Sequence, residues 1–269
     1  MKSKLLLVLA CSTLFISNSC KKVSETVAPY VFSLDDDKKL GQQTRDEIAK
    51  DPATYPILDE TQYPKAYEHI RRITNTILNS GKVEHKADFT WEVRLIHNDS
   101  VLNAFCAPGG YIYVYTGIIK YLDSEDQLAG VMGHEIAHAD LRHTIKQMAN
   151  QYTTDALIQV IAGENAALLT QIAGGMLSLK YSRDHESESD NNSVEYLYPT
   201  EYDARGAARF FEKLSASGQG GSKIEEFLST HPSPDNRVEN ITNKWRNLGG
   251  KEGGTFTSRY ADFKSSLPQ

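Results

Sequence analysis

Ser124-Glu125-Asp126-Gln127-Leu128-Ala129-Gly130-Val131-Met132-Gly133-His134-Glu135-Ile136-Ala137-His138 is the stretch whose reading decides the fold. Ser124 and Gln127 have the spacing of a capping box, which predicts a helix opening there and continuing to about Asn150. Leu128, Ala129, Val131, Met132, Ile136 and Ala137 make most of its surface apolar, so the helix is expected in the core. Residues four apart lie one turn apart on the same face, so both imidazoles can reach one ion. Glu135 is rotated off the first histidine but stays close enough to meet an attacking water. The spacing supplies two neutral nitrogen ligands and a base. A chance match to His-Glu-x-x-His in a chain of this composition is on the order of 1–2%. The plainer reading is a helix with two surface histidines and an unrelated acid. It suits the apolar surroundings poorly, because buried imidazoles and a carboxylate need partners.

A catalytic zinc takes a third protein ligand and keeps one position open for water. Candidates lie in Tyr181-Ser182-Arg183-Asp184-His185-Glu186-Ser187-Glu188-Ser189-Asp190, within a helix expected from about Lys180 to Tyr198. Glu186 and Asp190 are four apart, so one can bind metal while the other holds a ligating histidine in its tautomer. Composition alone leaves Glu186, Glu188 and His185 all open as the ligand, and a solvated acidic face is the plainer alternative.

Further elements follow outward from these two helices. A polar helix is expected over Asp35–Lys50, and Pro64 starts another over Lys65–Leu78 with Ala66, Ile70, Ile73 and Ile77 on one face. Phe89, Trp91, Val93 and Leu95 alternate with polar residues as a half-buried strand, and Tyr111–Tyr115 is a second strand after Pro108-Gly109-Gly110. The apolar stretch from Thr154 to Leu179 is broken by Asp155, Gln159, Glu164, Asn165 and Gln171. It reads as a buried helix pair or a loop over the site rather than a membrane span. A helix through Phe210, Phe211 and Leu214 precedes a flexible loop, Ser217–Ser222. Ser233 and Pro234 are placed to cap a last helix through Val238 and Ile241, and the Gly-rich end reads as frayed. The fold class is therefore α+β: mainly helical, with a small mixed sheet beside the His-Glu helix.

Residues 1–20 read as a signal peptide, with a basic start, an apolar run from Leu5 to Ile16 and small polar residues before Cys20. Cys20 is a candidate lipid-attachment site and membrane anchor, with plain cleavage as the alternative. Residues 21–34 read as a flexible tether, 35–248 as the folded domain and 249–269 as a tail. Removal of Cys11 and lipidation of Cys20 would leave Cys106 alone, excluding an internal disulfide and a zinc site built from cysteines. The net charge of −6 argues against nucleic acid as a partner.

Several motifs in order resemble the M48 metallopeptidases, of the gluzincin group. They are Asn103-Ala104-Phe105 with Pro108-Gly109-Gly110-Tyr111-Ile112-Tyr113-Val114 and Gly117-Ile118-Ile119; His134-Glu135-x-x-His138 with Arg142-His143; Ser182-Arg183 with Glu186-x-x-x-Asp190; and Thr230-His231-Pro232 with Arg237. The resemblance spans about Asp35 to Trp245 and implies a zincin-like peptidase fold. It implies one Zn2+ per chain held by His134, His138 and Glu186, with Glu135 as base and proton shuttle. Asp190 would orient His134. His231 would stabilise the transition state or plug the zinc at rest, a helix-capping turn histidine being the plainer alternative. Gly110, Tyr111, Ile112, Tyr113 and Val114 resemble the edge strand along which a polypeptide substrate lies. Arg183 and Arg237 are expected in structural salt bridges under the site, and His143 is expected to be structural. Ser189 and Ser193 stand where the family commonly has Ala and Gly, and Cys106 is unusual in its segment. The implied function is a protease of misfolded or unassembled envelope proteins in the periplasm. The alternatives are a latched lipoprotein that mainly binds clients and a structural zinc protein with His231 as fourth ligand.

Overall fold

Three strands form one mixed sheet in a computed structural model of the chain, which describes residues 28–216, 227–233 and 236–269. β1 (Glu92–Ile96) runs parallel to β3 (Tyr111–Tyr115), which leads into α4 (Thr116–Tyr121), and β2 (Ala104–Ala107) runs antiparallel on its other side. β1 begins later than the alternation suggests, because Trp91 is left-handed (φ 50°) and turns its indole N–H to the carbonyls of His85 and Lys86. β2 gave no period-two signal: all four of its residues are buried.

The alternation of β3 divides the core. Ile112 and Val114 join an apolar cluster with α3 (Pro64–Leu78), α5 (Glu125–Asp140), α9 (Arg183–Leu197), α10 (Gly206–Ala216) and α11 (Arg237–Asn247). Tyr111, Tyr113 and Tyr115 point the other way, toward α2 (Leu34–Ile48), α6 (His143–Gln151), α7 (Thr154–Ala162) and α8 (Ala166–Gly175). α2 starts where Ser33 and Asp36 exchange a capping box; α3 starts at Pro64 and buries Ala66, Ile70, Ile73 and Ile77. α5 and α9 cross closely because Gly133 has no side chain: a Cβ there would lie 2.6 Å from Ser193 Oγ. That crossing brings the two candidate ligand segments together.

Several expectations need correction. The helix expected to reach Asn150 ends at Asp140, and α6 begins after Arg142, which is left-handed (φ 59°). The Arg142 guanidinium bonds Asp37 and the Phe32 carbonyl, anchoring the break to the start of α2. Ser124 sits at the N-cap but makes no side-chain cap, and the Gln127 carboxamide accepts instead from the Asp123 N–H. α11 is preceded by Asn236 rather than capped by Ser233. The end of the chain is not frayed: α12 (Thr257–Ser265) buries Tyr260 and Phe263 against the main core. Part of the expected tether is also packed, since Ala28, which opens the short α1 (Ala28–Val31), and Phe32, which follows it, are buried. α7 and α8 form a helix pair bent by 103°, but not the buried one expected: only Leu157, Val160, Ile172 and Ala173 in them are buried, and among the described residues no single helix is long and apolar enough to cross a membrane. The expected signal region, Cys20, the loop at 217–222 and Pro234 lie outside the described residues.

Candidate metal centre

α5 presents His134, Glu135 and His138 to α9, which presents Glu186, and a strap at 227–233 lays His231 over them. Donor atoms of His134, His138, Glu186 and His231 all lie within 4.8 Å of one another, and all four residues are buried. The Nε2 atoms of His134 and His138 are 2.9 Å apart, and Glu186 oxygens lie 3.4 and 3.3 Å from them. Tetrahedral bonds of ~2.0–2.1 Å would space ligand atoms about 3.3–3.4 Å apart, so the cluster has the dimensions of a zinc site.

The surrounding hydrogen bonds assign the tautomers. His134 Nδ1 donates to Asp190 Oδ1 at 2.9 Å. His143 Nε2 donates to Glu188 at 3.0 Å, so its Nδ1 accepts from His138 Nδ1 at 3.1 Å. Both candidate ligands therefore turn Nε2 toward the same point, an arrangement that favours a cation between them. Arg237, buried, pairs with Asp190 at 2.6 Å and with Glu186 at 3.1 Å. One Glu135 oxygen is 3.7 Å from His231 Nε2 and the other is buried without a hydrogen-bond partner among the described residues.

The electrostatics follow from burial and these contacts. Burial alone would lower the His134 imidazole, but Glu186 and Asp190 raise it to about 9. Burial pulls His138 well below its ordinary value. Glu186 is penalised by burial, yet His231 and His134 hold its carboxyl well below the usual range. Burial pushes Glu135 up, as suits a group that must take up a proton.

The structure thus gathers His134, Glu135, His138, Glu186, Asp190, His231 and Arg237 at one place. Of the alternatives to Glu186, Glu188 turns to His143 and His185 stacks on the His143 ring at 4.2 Å. His143, expected to be structural, instead bonds the ring of His138 directly. The sequence concealed this because the left-handed Arg142 folds His143 back onto the preceding helix. Arg183 is exposed and makes no ion pair among the described residues, against the expected salt bridge. Tyr181, also unanticipated, stacks on His138 with ring centroids 3.8 Å apart. The expected substrate strand requires the largest correction. Tyr111 to Val114 lie in the central strand, paired on both sides, and Gly110 closes the preceding 3-10 turn. The edge beside α5 belongs to β2.

Residues 64–244 match Peptidase family M48, and the chain belongs to that family of zinc metallopeptidases. It is 34% identical over 155 residues to Mitochondrial metalloendopeptidase OMA1 of Arabidopsis thaliana, covering 57% of this chain and 31% of that protein. Against the Schizosaccharomyces pombe protein of the same name the identity is 28% over 213 residues, covering 78% of this chain and 61% of the relative. Beta-barrel assembly-enhancing protease of Escherichia coli is 33% identical over 165 residues, covering 56% of this chain and 33% of that protein. The chain spans between about a third and three fifths of the length of these relatives.

Proposed function

We propose that the chain is a zinc endopeptidase that cuts exported or envelope polypeptides, with His134, His138 and Glu186 as metal ligands and Glu135 as the base. One observation carries this reading: the Nε2 atoms of two histidines and a Glu186 carboxylate converge beside a Glu135 oxygen that has no hydrogen-bond partner among the described residues. When bound, zinc supplies Lewis-acid polarisation of the scissile carbonyl and of the attacking water. Glu135 takes the water's proton and delivers it to the leaving amine, a transfer helped by the upward push of burial on its carboxyl. Asp190 and Arg237 fix His134 and Glu186 in place, and the Glu188–His143 pair does the same for His138.

His231 lies inside the donor set, so this conformation is a resting one with the open position filled by the protein. Substrate binds along the outer edge of β2 once that position clears, with main-chain hydrogen bonds giving affinity and little sequence preference. The basic and apolar run of residues 1–20 supports export to the periplasm, and Cys20 just after it supports a lipid anchor at an envelope membrane. The names of the bacterial relatives, which concern β-barrel assembly, agree with envelope clients.

The test is zinc content together with casein degradation in the wild type and Glu135→Gln. Stoichiometric zinc in both, with cleavage lost about 10²–10⁴-fold in the variant, is expected. Equal activity in both would remove Glu135 as the base. The filled fourth position also favours a second reading, a client-binding factor with cleavage minor. Under that reading client capture survives Glu135→Gln unchanged and His231→Ala releases no activity.

A further inference from the structure

The metal position and the β2 edge are both closed, and the closures share residues. The Asn103 carbonyl accepts from the Tyr115 N–H at 3.1 Å, so Asn103 faces β3. By the two-residue period Phe105 and Ala107 also face β3, and Ala104 and Cys106 turn their N–H and C=O groups outward. That outer edge is not open. The Ala104 N–H is bonded to the Asn103 side chain at 2.9 Å, and the Thr144 hydroxyl of α6 donates to the Cys106 carbonyl at 3.3 Å. Tyr181 completes the clasp, its hydroxyl 3.0 Å from Thr144 Oγ1 and 3.8 Å from Cys106 Sγ. Ala104 and Cys106 are fully buried.

The strap that carries His231 is tied to this clasp at two points. The Tyr181 N–H donates to the Thr230 carbonyl at 3.2 Å, and the Asn103 amide donates to the Thr230 hydroxyl at 3.4 Å. The Tyr181 ring also packs beside both His138 and His231, its centroid 3.8 Å from one and 5.8 Å from the other, with the two imidazoles 5.7 Å apart.

We propose that the His231 latch and the clasp over the β2 edge are one switch, joined through Thr230 and Tyr181. A strap that lifts His231 away must break or carry with it both ties to Thr230, which loosens Tyr181 over Cys106 and starts the edge free. A polypeptide therefore gains the metal and the strand edge in a single opening. Tyr181 and Thr144 are positioning residues in this switch and touch no reacting atom. The inference rests on the resting-state reading above and extends it to the substrate groove.

Cys106 is a built-in reporter, since its thiol lies inside the clasp. The experiment follows iodoacetamide labelling of the zinc-loaded full chain, with the label located at Cys106 by peptide mass mapping. Labelling below the unfolding transition is compared in the wild type, His231→Ala and Thr144→Val, with Thr144→Ser as the conservative control. One switch predicts that His231→Ala speeds labelling about tenfold or more, in the range of ordinary coupling between sites. It also predicts that Thr144→Val, which touches no ligand, shifts the Co2+-loaded protein's visible bands toward those of His231→Ala, whereas Thr144→Ser does neither. Unchanged labelling in His231→Ala alongside faster labelling in Thr144→Val means independent closures and overturns the proposal. Slow labelling in every form overturns it too, because the clasp then does not guard the edge. Co2+ bands unaltered by His231→Ala would instead remove the latch itself, a failure of the resting-state reading that hydrolysis and labelling need not share.

Discussion

Two buried carboxylates on α5 have opposite fates. Glu125, at the start of the helix, accepts from Arg72 at 2.5 and 2.8 Å, from Arg259 at 2.7 and 3.0 Å and from the Tyr202 hydroxyl at 2.6 Å. Glu135, in the second half, has one oxygen 3.7 Å from His231 and the other without a hydrogen-bond partner among the described residues. Both are buried, so burial does not separate structure from chemistry; satisfaction of the lone pairs does. The Glu125 knot is closed and binds α3, α5 and α12 together. The Glu135 centre leaves its reactive atoms without firm partners, and the hydrogen bonds of Asp190, Arg237 and His143 hold the groups around them.

The sharpest way to break this contrast is to remove a carboxylate from each end. Glu186→Ala should lower zinc from one per chain to almost none while the protein stays folded, measured by metal analysis after gel filtration. Glu125→Ala should keep its zinc. It leaves two guanidinium groups without their buried partner, a loss of about 3–5 kcal/mol seen as a lower urea midpoint. If Glu125→Ala loses metal and stability together, the two ends of α5 are not separable. Phe263→Ala tests the same end by packing: it empties a fully buried site in α12 and should cost about 3–5 kcal/mol with zinc retained. A frayed tail would show no loss.

How much of this was legible follows the range of the interactions. The His134–His138 pairing was readable because one helical turn fixes it locally. Choosing Glu186 from its own segment needed either family resemblance or the crossing of α5 and α9, because Glu188 and His185 share that helix. β2 was hidden because Ala104–Ala107 is too short and too uniformly apolar to show a period. Misplacing the edge on Tyr111–Val114 followed directly, since a strand's neighbours are set by topology and not by its own residues. α12 was missed because Tyr260 and Phe263 sit in a polar, Gly-flanked segment, where two aromatic side chains supply the burial. His143 depended on one left-handed residue, Arg142, held by an ion pair to Asp37 far away in sequence.

A smaller effect distinguishes the two centres by pH. In the metal-free protein His134 carries a proton up to about 9, despite burial, because Glu186 and Asp190 favour it. Zinc must displace that proton, so its affinity should fall about tenfold for each pH unit lowered between pH 8 and 6, with one proton released on binding. Calorimetry in buffers of different ionisation heat measures the release. The sign for stability is opposite without metal. A raised imidazole stabilises the fold fully below its ordinary value of 6.5, and that contribution is lost as pH rises through about 9. Glu125 should contribute no such change in this range, because its arginine partners and Tyr202 outweigh burial and hold the carboxyl below its usual value.

The smallest expected effect tests the support outside the ligands. Glu188 is 56% exposed, yet it accepts from His143, whose other nitrogen accepts from His138. This relay keeps the His138 proton on Nδ1 and its lone pair on Nε2, toward the metal. Glu188→Ala frees the His143 ring to turn over and reverse its donor and acceptor, so zinc affinity should weaken about tenfold, the low end for such supports. Glu188→Gln leaves a carbonyl oxygen to accept the same hydrogen bond and should restore most of the affinity. Competition with a chromogenic chelator reads both. If the Ala and Gln variants bind zinc equally and as tightly as wild type, the hydrogen bond from Ser189 to His143 Nδ1 at 3.2 Å is enough to hold the ring. The relay would then end at His143, and the acidic run from Asp184 to Glu188 would supply only Glu186 to the centre.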